Sequence, residues 1–212
     1  MDGVICNNND WHRTSWMAFA KQLGKELTDD DIETKVYGKT NEEILGYVLG
    51  RKVTEEENVR LAEEKEAMFR LMYDPHFALT KGLLSFLERL KSADIPIGLG
   101  TNAPLSNLNY TLEKGQIGAY YQVQINPDMV ANPKPAPDIY LAVAHGLRIV
   151  PENCIVFEDS FGGIAAAKAA GCKVVGIDST YPKERLSQVC DYVISDFDEM
   201  TIELFQQIIS NA

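Results

Sequence analysis

Paired cysteines, long apolar runs and an excess of basic residues are all missing from this 212-residue sequence. Its four cysteines are scattered without any C-x-x-C spacing, which favours reduced, buried thiols over disulfides. No apolar run approaches the roughly 20 residues of a membrane-spanning helix, and no secretory signal opens the sequence. A formal charge of −11 disfavours nucleic acid and anionic membranes as partners. We therefore expect a cytoplasmic protein that binds neither.

The stretch from residue 9 to residue 75 has helical spacing throughout. Apolar residues recur three and four positions apart, and threonines followed by acidic residues are typical of helix N-caps. Three such helix starts are predicted, at Thr28, Thr40 and Thr54. These elements predict a compact helical bundle.

After Pro75 short apolar runs alternate with amphipathic helices. The predicted strands are Ile95–Gly100, Tyr121–Ile125, Cys154–Phe157, Val174–Ile177 and Tyr192–Ile194. The predicted helices are Leu79–Lys91, Leu105–Leu112, Pro137–Leu147, Ile164–Ala170 and Ile202–Ile209. This alternation predicts an α/β fold, a doubly wound, Rossmann-like parallel sheet with helices on both faces. Residues 1–8 and 76–212 would form that core, with the helical bundle of 9–75 inserted as a cap domain.

Polar groups stand where successive parallel strands are expected to end, which is where ligands bind in open α/β sheets. They are Asp2, Thr101 with Asn102, Lys134, and the pair Glu158 and Asp159. Each has an ordinary reading when taken alone, as a loop acid, a helix cap or a surface lysine. Their joint occurrence in chain order favours a site that binds phosphate and a cation.

The adjacent carboxylates of Glu158 and Asp159 follow a buried apolar run. Like charges this close repel each other unless a cation lies between them, and Mg2+ prefers oxygen ligands. The alternative is a pair of acids that caps the next helix. Thr101 and Asn102 offer a hydroxyl, an amide and free backbone N–H groups at the start of a helix, and such groups suit a phosphate oxygen. The prolines around Lys134 restrict the loop that carries this lysine.

The motifs, in order, are Asp-Gly-Val-Ile, Gly-Thr-Asn, Lys-Pro-Ala-Pro-Asp and Phe-Glu-Asp-Ser with its following small-residue helix. This order resembles the haloacid dehalogenase superfamily, and within it the phosphatase and β-phosphoglucomutase-like branch with a helical cap. The resemblance covers essentially the whole chain. It implies a Mg2+-dependent phosphatase of small phosphorylated metabolites, sugar phosphates among them, that works through an aspartyl phosphate.

The resemblance also implies a role for each site residue. Asp2 would be the general acid and base, and a metal ligand together with Glu158 and Asp159. Thr101 and Lys134 would act on the phosphoryl group. Gly3 and Asn102 would help to bind it.

The sequence departs from the family pattern at its start. In the pattern Asp-x-Asp-Gly the attacking aspartate would precede Met1, and so would the strand that carries it. Without that strand, two buried sheet edges would lack a partner. A start codon assigned too late and an inactive relative are the two explanations, and we favour the first because the remaining motifs are intact.

The resemblance places substrate choice in the cap. His12 aligns with the junction of core and cap, and the loop Gly38–Asn41 with a segment that faces the active site. Mutase relatives carry an arginine where Asn41 stands, which favours a phosphatase over a hexose-phosphate mutase, although Lys39 could substitute. Outside these enzymes we weighed a phosphate-binding pseudoenzyme and a signalling receiver domain, against which the inserted cap argues. We expect a monomer or a weak homodimer.

Overall fold

The computed structural model describes residues 1–37 and 39–210 of the chain. Contacts divide the chain into two units, one made of Met1–Asn7 with the chain from Ala78 onward, the other of Asn8–Phe77. The sequence placed these boundaries at 8/9 and 75/76. In the described residues no helix is both long and apolar enough to cross a membrane.

The unit Asn8–Phe77 is helical, and its helix starts follow from the threonines. The helices are α1 (Asn9–Gln22), α2 (Asp29–Asp31, continued as a wider helical turn over Ile32–Val36), α3 (Asn41–Leu49) and α4 (Glu55–Tyr73). The side chains of Thr28, Thr40 and Thr54 each accept a hydrogen bond from the backbone N–H of the residue three positions on. The carboxylate of that residue in turn accepts a hydrogen bond from the backbone N–H of the threonine. These capping boxes confirm all three predicted starts.

Apolar faces of these helices meet in one cluster inside the helical unit. Trp16 and Phe19 of α1 pack there with Leu45 of α3 and Leu61 of α4, each at most 5% exposed. Burying a side chain of this size stabilises a fold by about 1.5–3 kcal/mol. The cap therefore has a hydrophobic core of its own.

The other unit alternates strands and helices. Its elements are α5 (Leu83–Ser92), β1 (Gly98–Gly100), α6 (Leu105–Gly115), β2 (Val123–Ile125), α7 (Asp138–Leu147), β3 (Ile155–Glu158), α8 (Phe161–Ala170), β4 (Lys173–Ile177), α9 (Lys183–Leu186), β5 (Tyr192–Ile194) and α10 (Ile202–Ser210). All described strand pairs are parallel. The predicted α/β class with a helical cap is confirmed.

The strands form two separate parallel sheets in the described part of the chain, rather than one continuous sheet. β1 pairs with β2, and β4 lies between β3 and β5. An aromatic cluster packs against this second sheet: Phe86 of α5 lies 5.5 Å from the ring of Phe157 in β3 and 5.5 Å from that of Phe197. The split agrees with the two unpartnered sheet edges expected from the sequence.

Three of the predicted element limits that differ from the structure can be traced to particular residues. The helix predicted from Leu79 begins at Leu83, because Thr80 instead donates its N–H and hydroxyl to carbonyls of the loop at residues 4 and 5. The strand predicted from Ile95 begins at Gly98, after Pro96, which has no N–H to donate. The helix predicted from Ile164 begins at Phe161, since Ser160 caps it.

Candidate active site

One ammonium group ties together the carboxyl ends of β1 and β3. Lys134 Nζ lies 3.0 Å from the carbonyl oxygen of Gly100, the last residue of β1, and 2.7 Å from Oε1 of Glu158, the last residue of β3. The Tyr140 hydroxyl accepts a hydrogen bond from Lys134 at 2.7 Å and donates to the same carboxylate oxygen at 2.5 Å. Lys134 and Glu158 are 9% and 5% exposed. A buried polar cluster therefore occupies the edge where a ligand is expected.

The second oxygen of Glu158 is also engaged. It accepts hydrogen bonds from the backbone N–H of Asp159 at 3.2 Å and of Ser160 at 3.3 Å, and from the Ser160 hydroxyl at 3.1 Å. Burial opposes ionisation of Glu158, but the charges of Lys134 and of the amino terminus overcome it. With hydrogen bonds from Lys134 and Tyr140, they lower the pKa of Glu158 to about 2. The carboxylate is therefore charged at neutral pH.

A glycine makes room for this carboxylate. Gly163 stands in the first turn of α8, where its N–H donates to the Ser160 hydroxyl at 3.1 Å. A Cβ atom at this position would collide with the carboxylate of Glu158, whereas a Cβ at Gly162 would meet nothing within 4 Å. Only glycine at 163 lets the helix approach the end of β3 this closely.

Thr101 and Asn102 follow β1 as predicted, and the hydrogen bonds described for them are made with backbone groups. Thr101 is buried; its N–H donates to the carbonyl of Ile125, and its hydroxyl oxygen accepts from the N–H of Ala103, both at 3.0 Å. The Asn102 carboxamide donates to the Lys134 carbonyl at 3.1 Å and accepts from the Lys134 N–H at 3.0 Å. Asn102 therefore positions the lysine loop, and its contact with phosphate stays a prediction.

The amino-terminal loop lies beside Asp159. The carbonyl of Gly3 accepts a hydrogen bond from the Ser179 hydroxyl at 2.5 Å. The next residue, Thr180, donates its hydroxyl to the carboxylate of Asp159. Because Ser179 and Thr180 are adjacent, they bring Gly3, and Asp2 before it, to the same neighbourhood as Asp159.

The predicted magnesium ligands do not form a ready-made cluster. Within the described residues no group of three or more His, Cys, Asp or Glu side chains is arranged to hold a metal ion. Glu158 is engaged by Lys134, Tyr140 and its following backbone. Asp2 and Asp159 provide the hard oxygen donors that Mg2+ takes, and Mg2+ is usually bound by only one or two carboxylates with water and substrate phosphate completing the shell. The carboxylates of Asp2 and Asp159 have the donor chemistry that Mg2+ takes, and their role as ligands stays a prediction, as does that of Glu158, whose carboxylate contacts Lys134.

Of the predicted cap residues, His12 belongs to a buried cluster. Its Nδ1 lies 3.1 Å from Lys65 Nζ, and its ring stacks on that of Phe69 with centroids 3.7 Å apart. Lys65 in turn lies 3.0 Å from the carboxylate of Glu66. Lys65 and Glu66 are only 1% and 6% exposed, so the cluster is part of the cap interior.

The predicted specificity loop is more exposed. Lys39 is 44% exposed and forms an ion pair of 3.8 Å with Glu43, one helical turn away. Asn41 is the first residue of α3. Gly38, the first residue of this loop, lies outside the described residues.

Two participants in these clusters were missed from the sequence. Tyr140 stands in the first turn of α7, six residues after Lys134, and no sequence signal distinguishes it from the other apolar residues of that helix. Lys65 lies in a run of acidic residues that is typical of a solvated helix face. Leu61, Lys65 and Phe69 nevertheless follow each other at intervals of four on α4, and all three are buried. That spacing could have identified Lys65.

The architecture is that of a Rossmann-like α/β protein with a helical cap. The sequence pattern described as Haloacid dehalogenase-like hydrolase matches residues 1–177, and the chain belongs to this family. The family and branch predicted from the motifs are confirmed.

Relatives with known roles lie in the same branch. A phosphorylated carbohydrates phosphatase of Thermotoga maritima is 31% identical over 81% of this chain and 79% of its own. The β-phosphoglucomutase of Bacillus subtilis is 30% identical over 98% of this chain and 92% of its own. Among solved structures, a HAD hydrolase, family IA, variant 3 from Entamoeba histolytica superposes with a TM-score of 0.93 at 30% identity, covering 100% of this chain and 97% of that one.

Proposed function

We propose that this protein is a Mg2+-dependent phosphatase of small phosphorylated metabolites, sugar phosphates among them, that works through an aspartyl phosphate. The observation that carries the proposal is the buried ammonium of Lys134 at the carboxyl ends of β1 and β3, next to the carboxylates. A fixed cation at this edge suits a phosphoryl dianion. Relatives named as phosphatases support the same chemistry.

Each residue then has a defined task. The ammonium of Lys134 and the hydroxyl of Thr101 would hold the phosphoryl oxygens, with Gly3 and Asn102 completing the binding site. Asp2 would protonate the leaving oxygen and later accept a proton from water. Asp159 and Asp2 would hold Mg2+, which when bound neutralises charge on the transferring group. The attacking carboxylate would come from the residue before Met1, so we propose turnover for a chain extended there.

A hexose-phosphate mutase is the second candidate. It is favoured by the Bacillus subtilis β-phosphoglucomutase, which matches nearly the whole chain. Mutases must hold a second phosphate, whereas Asn41 offers no charged donors and Lys39 is paired with Glu43. We therefore rank hydrolysis above transfer between positions of one sugar.

The test is hydrolysis of an aryl phosphate and of a panel of sugar phosphates with Mg2+. Three proteins are compared: residues 1–212, the same chain extended by an apolar strand ending in Asp, and a matched extension ending in Asn. Hydrolysis by the Asp form alone supports the proposal. Hydrolysis by the Asn form would overturn the assignment of the nucleophile, and isomerised sugar phosphate would favour the mutase. Bound phosphate without turnover in any form would leave a binding protein.

Metal binding is tested separately from turnover. Calorimetric titration of MgCl2 should give a binding heat that Asp159→Asn removes. Asp94→Asn, at an exposed aspartate in the turn after α5, is the matched control and should change nothing. Unchanged Mg2+ affinity in Asp159→Asn would remove this residue from the metal site.

A further inference from the structure

Two of the four cysteines lie side by side across neighbouring strands. The parallel register of β3 and β4 pairs Ile155 with Lys173. Cys154 and Cys172 come one residue earlier on the two strands, and the N–H of Lys173 donates to the carbonyl of Cys154 at 3.0 Å. The backbone of Cys154 is extended, with φ −105° and ψ 140°. The register therefore continues to the two cysteines, which face each other.

The two side chains lie on the same face of the sheet. Residues two positions apart on a strand share a face, and Val156 and Val174 follow the cysteines at that interval. All four side chains belong to one apolar cluster, to which α8 also contributes. The Cys172 thiol donates a hydrogen bond to the sulfur of Cys154, whose own thiol donates to the carbonyl of Val150 at 3.6 Å. The two sulfur atoms are therefore neighbours.

This arrangement allows a disulfide between the two strands. Neighbouring strands lie about 4.7–4.9 Å apart, within the range of about 4.4–6.8 Å between the α-carbons of bridged cysteines. The β-carbons of a disulfide lie closer, about 3.5–4.5 Å apart, so a bridge must draw the two strands together slightly. Strained disulfides are reduced more readily than relaxed ones. We therefore expect a bridge that forms and breaks with the redox conditions.

The two thiols have different surroundings. Cys154 is partly exposed, whereas Cys172 is only 7% exposed. The hydrogen bond from Cys172 lowers the pKa of Cys154, although burial and the carboxylate of Glu152 act in the opposite direction. The same hydrogen bond, together with burial, raises the pKa of Cys172. Because the thiolate is the reactive form, Cys154 is the thiol that meets an oxidant first.

We propose that Cys154 and Cys172 form a redox modification site, at which a hydroperoxide converts the two thiols into a reversible disulfide within one chain. With hydrogen peroxide, the Cys154 sulfur attacks one oxygen, the O–O bond breaks, and one water and a sulfenic acid are formed. The Cys172 sulfur then attacks the Cys154 sulfur, the S–O bond breaks, and the hydroxyl leaves with the Cys172 proton as a second water. Both sulfurs are oxidised and both peroxide oxygens are reduced.

The bridge encloses the segment 155–171, which carries Glu158, Asp159 and α8. Oxidation therefore constrains the strand and the helix that hold part of the candidate active site. The modification itself does not depend on whether the protein hydrolyses phosphate.

The test treats the reduced chain of residues 1–212 with hydrogen peroxide, removes the peroxide with catalase and blocks the remaining thiols with iodoacetamide. Trypsin cleaves after Arg148, Lys168 and Lys173, which places the two cysteines in separate peptides, 149–168 and 169–173. Mass spectrometry of the unreduced digest should find these peptides joined and two hydrogens lighter than their sum. Two of the four thiols should be lost to iodoacetamide, and dithiothreitol should restore both.

Substitution of single cysteines separates this pair from general oxidation. Cys172→Ala should abolish the joined peptides and leave a sulfenic acid at Cys154, which dimedone traps. Cys154→Ala should abolish both products. Cys190→Ala is the matched control, since Cys190 is a partly exposed thiol of the same apolar cluster, and it should retain the joined peptides in full. Circular dichroism checks that each variant is folded, and the digest of the unsubstituted chain decides the proposal without any variant.

Three results would overturn the proposal. The first is a folded chain that keeps four reactive thiols after treatment with peroxide. The second is a disulfide that joins Cys6 or Cys190 in place of this pair. The third is a bridge between two chains only, which a mixture of 15N-labelled and unlabelled protein would reveal as joined peptides of mixed label.

Discussion

In the residues that the structure describes, each unit of this protein buries a lysine–glutamate pair, and the two pairs are built differently. In the α/β unit Lys134 and Glu158 come from segments far apart in the chain and meet at 2.7 Å. In the cap Lys65 and Glu66 are neighbours on α4 and meet at 3.0 Å. The core pair also contacts a backbone carbonyl at the end of β1, whereas the cap lysine lies 4.9 Å from the ring of Trp16.

The surroundings of the two pairs indicate different roles, one in a candidate ligand site and the other in the packing of the cap. A buried pair costs desolvation free energy, so its presence is weak evidence of stabilisation. The core pair stands at strand ends, where polar groups can meet a ligand. The cap pair, together with His12, links α1 to α4 under aromatic rings. We infer that the first is retained for chemistry and the second for the packing of the cap.

The largest expected effect comes from breaking the core pair. Lys134→Met leaves the buried carboxylate of Glu158 without its cation, and we expect a loss of about 3–5 kcal/mol in the free energy of unfolding. Urea denaturation followed by circular dichroism measures it. The double variant Lys134→Met/Glu158→Gln should recover most of the loss, because its amide is neutral. A double variant no more stable than the single one would contradict this account.

The matching change in the cap should cost about 3 kcal/mol, at the lower end of that range. Lys65→Met removes the cation, but the imidazole of His12 stays beside the carboxylate of Glu66, with its Nδ1 at 4.0 Å. Both tryptophans of the chain, Trp11 and Trp16, lie in the cap, so tryptophan fluorescence reports its unfolding. The exposed Lys52→Met is the control. A cap transition that does not move would assign the lysine no structural role.

Acid should weaken the core pair, because protonation of Glu158 removes its charge. Because the pKa of Glu158 is about 2 in the folded protein against an ordinary 4.5, its charge stabilises the fold above pH 4.5. This stabilisation, up to about 3 kcal/mol, is lost as the pH falls from 4.5 towards 2. The free energy of unfolding, taken from denaturation curves across this range, should depend less on pH for Glu158→Gln than for the unsubstituted protein. Parallel profiles for the two proteins would disprove the depressed pKa.

The smallest effect is expected at the exposed cap pair. Lys39→Ala removes an ion pair of 3.8 Å between half-exposed side chains. Such surface pairs contribute at most about 1 kcal/mol, so the cap fluorescence transition should shift very little. A shift as large as that of Lys65→Met would mean that exposure does not separate the two lysines.

Sequence reasoning succeeded where chemistry is local. The capping boxes at Thr28, Thr40 and Thr54 depend on residues three apart, and they were predicted correctly. Lys134 and Glu158 were predicted because strand ends of a parallel sheet share one edge. Sequence reasoning failed where contacts between distant segments determine the structure. Thr80 was predicted to be helical but hydrogen-bonds to the amino-terminal loop, and Lys65 is buried although it lies in an acidic run. Within the described part of the chain, the two unpartnered sheet edges inferred from the motif order are those of β1 and β3.

The close approach of α8 to Glu158 has a consequence for how the sequence can vary. A Cβ at position 163 would displace the carboxylate of Glu158 from its contacts with Lys134 and Tyr140, while position 162 next to it is open. In a library of all substitutions at these two positions, folded variants should accumulate at 162 and be absent at 163. The two neighbouring glycines therefore differ in how freely they can be replaced: Gly162 tolerates a Cβ atom, whereas Gly163 does not without moving the carboxylate of Glu158.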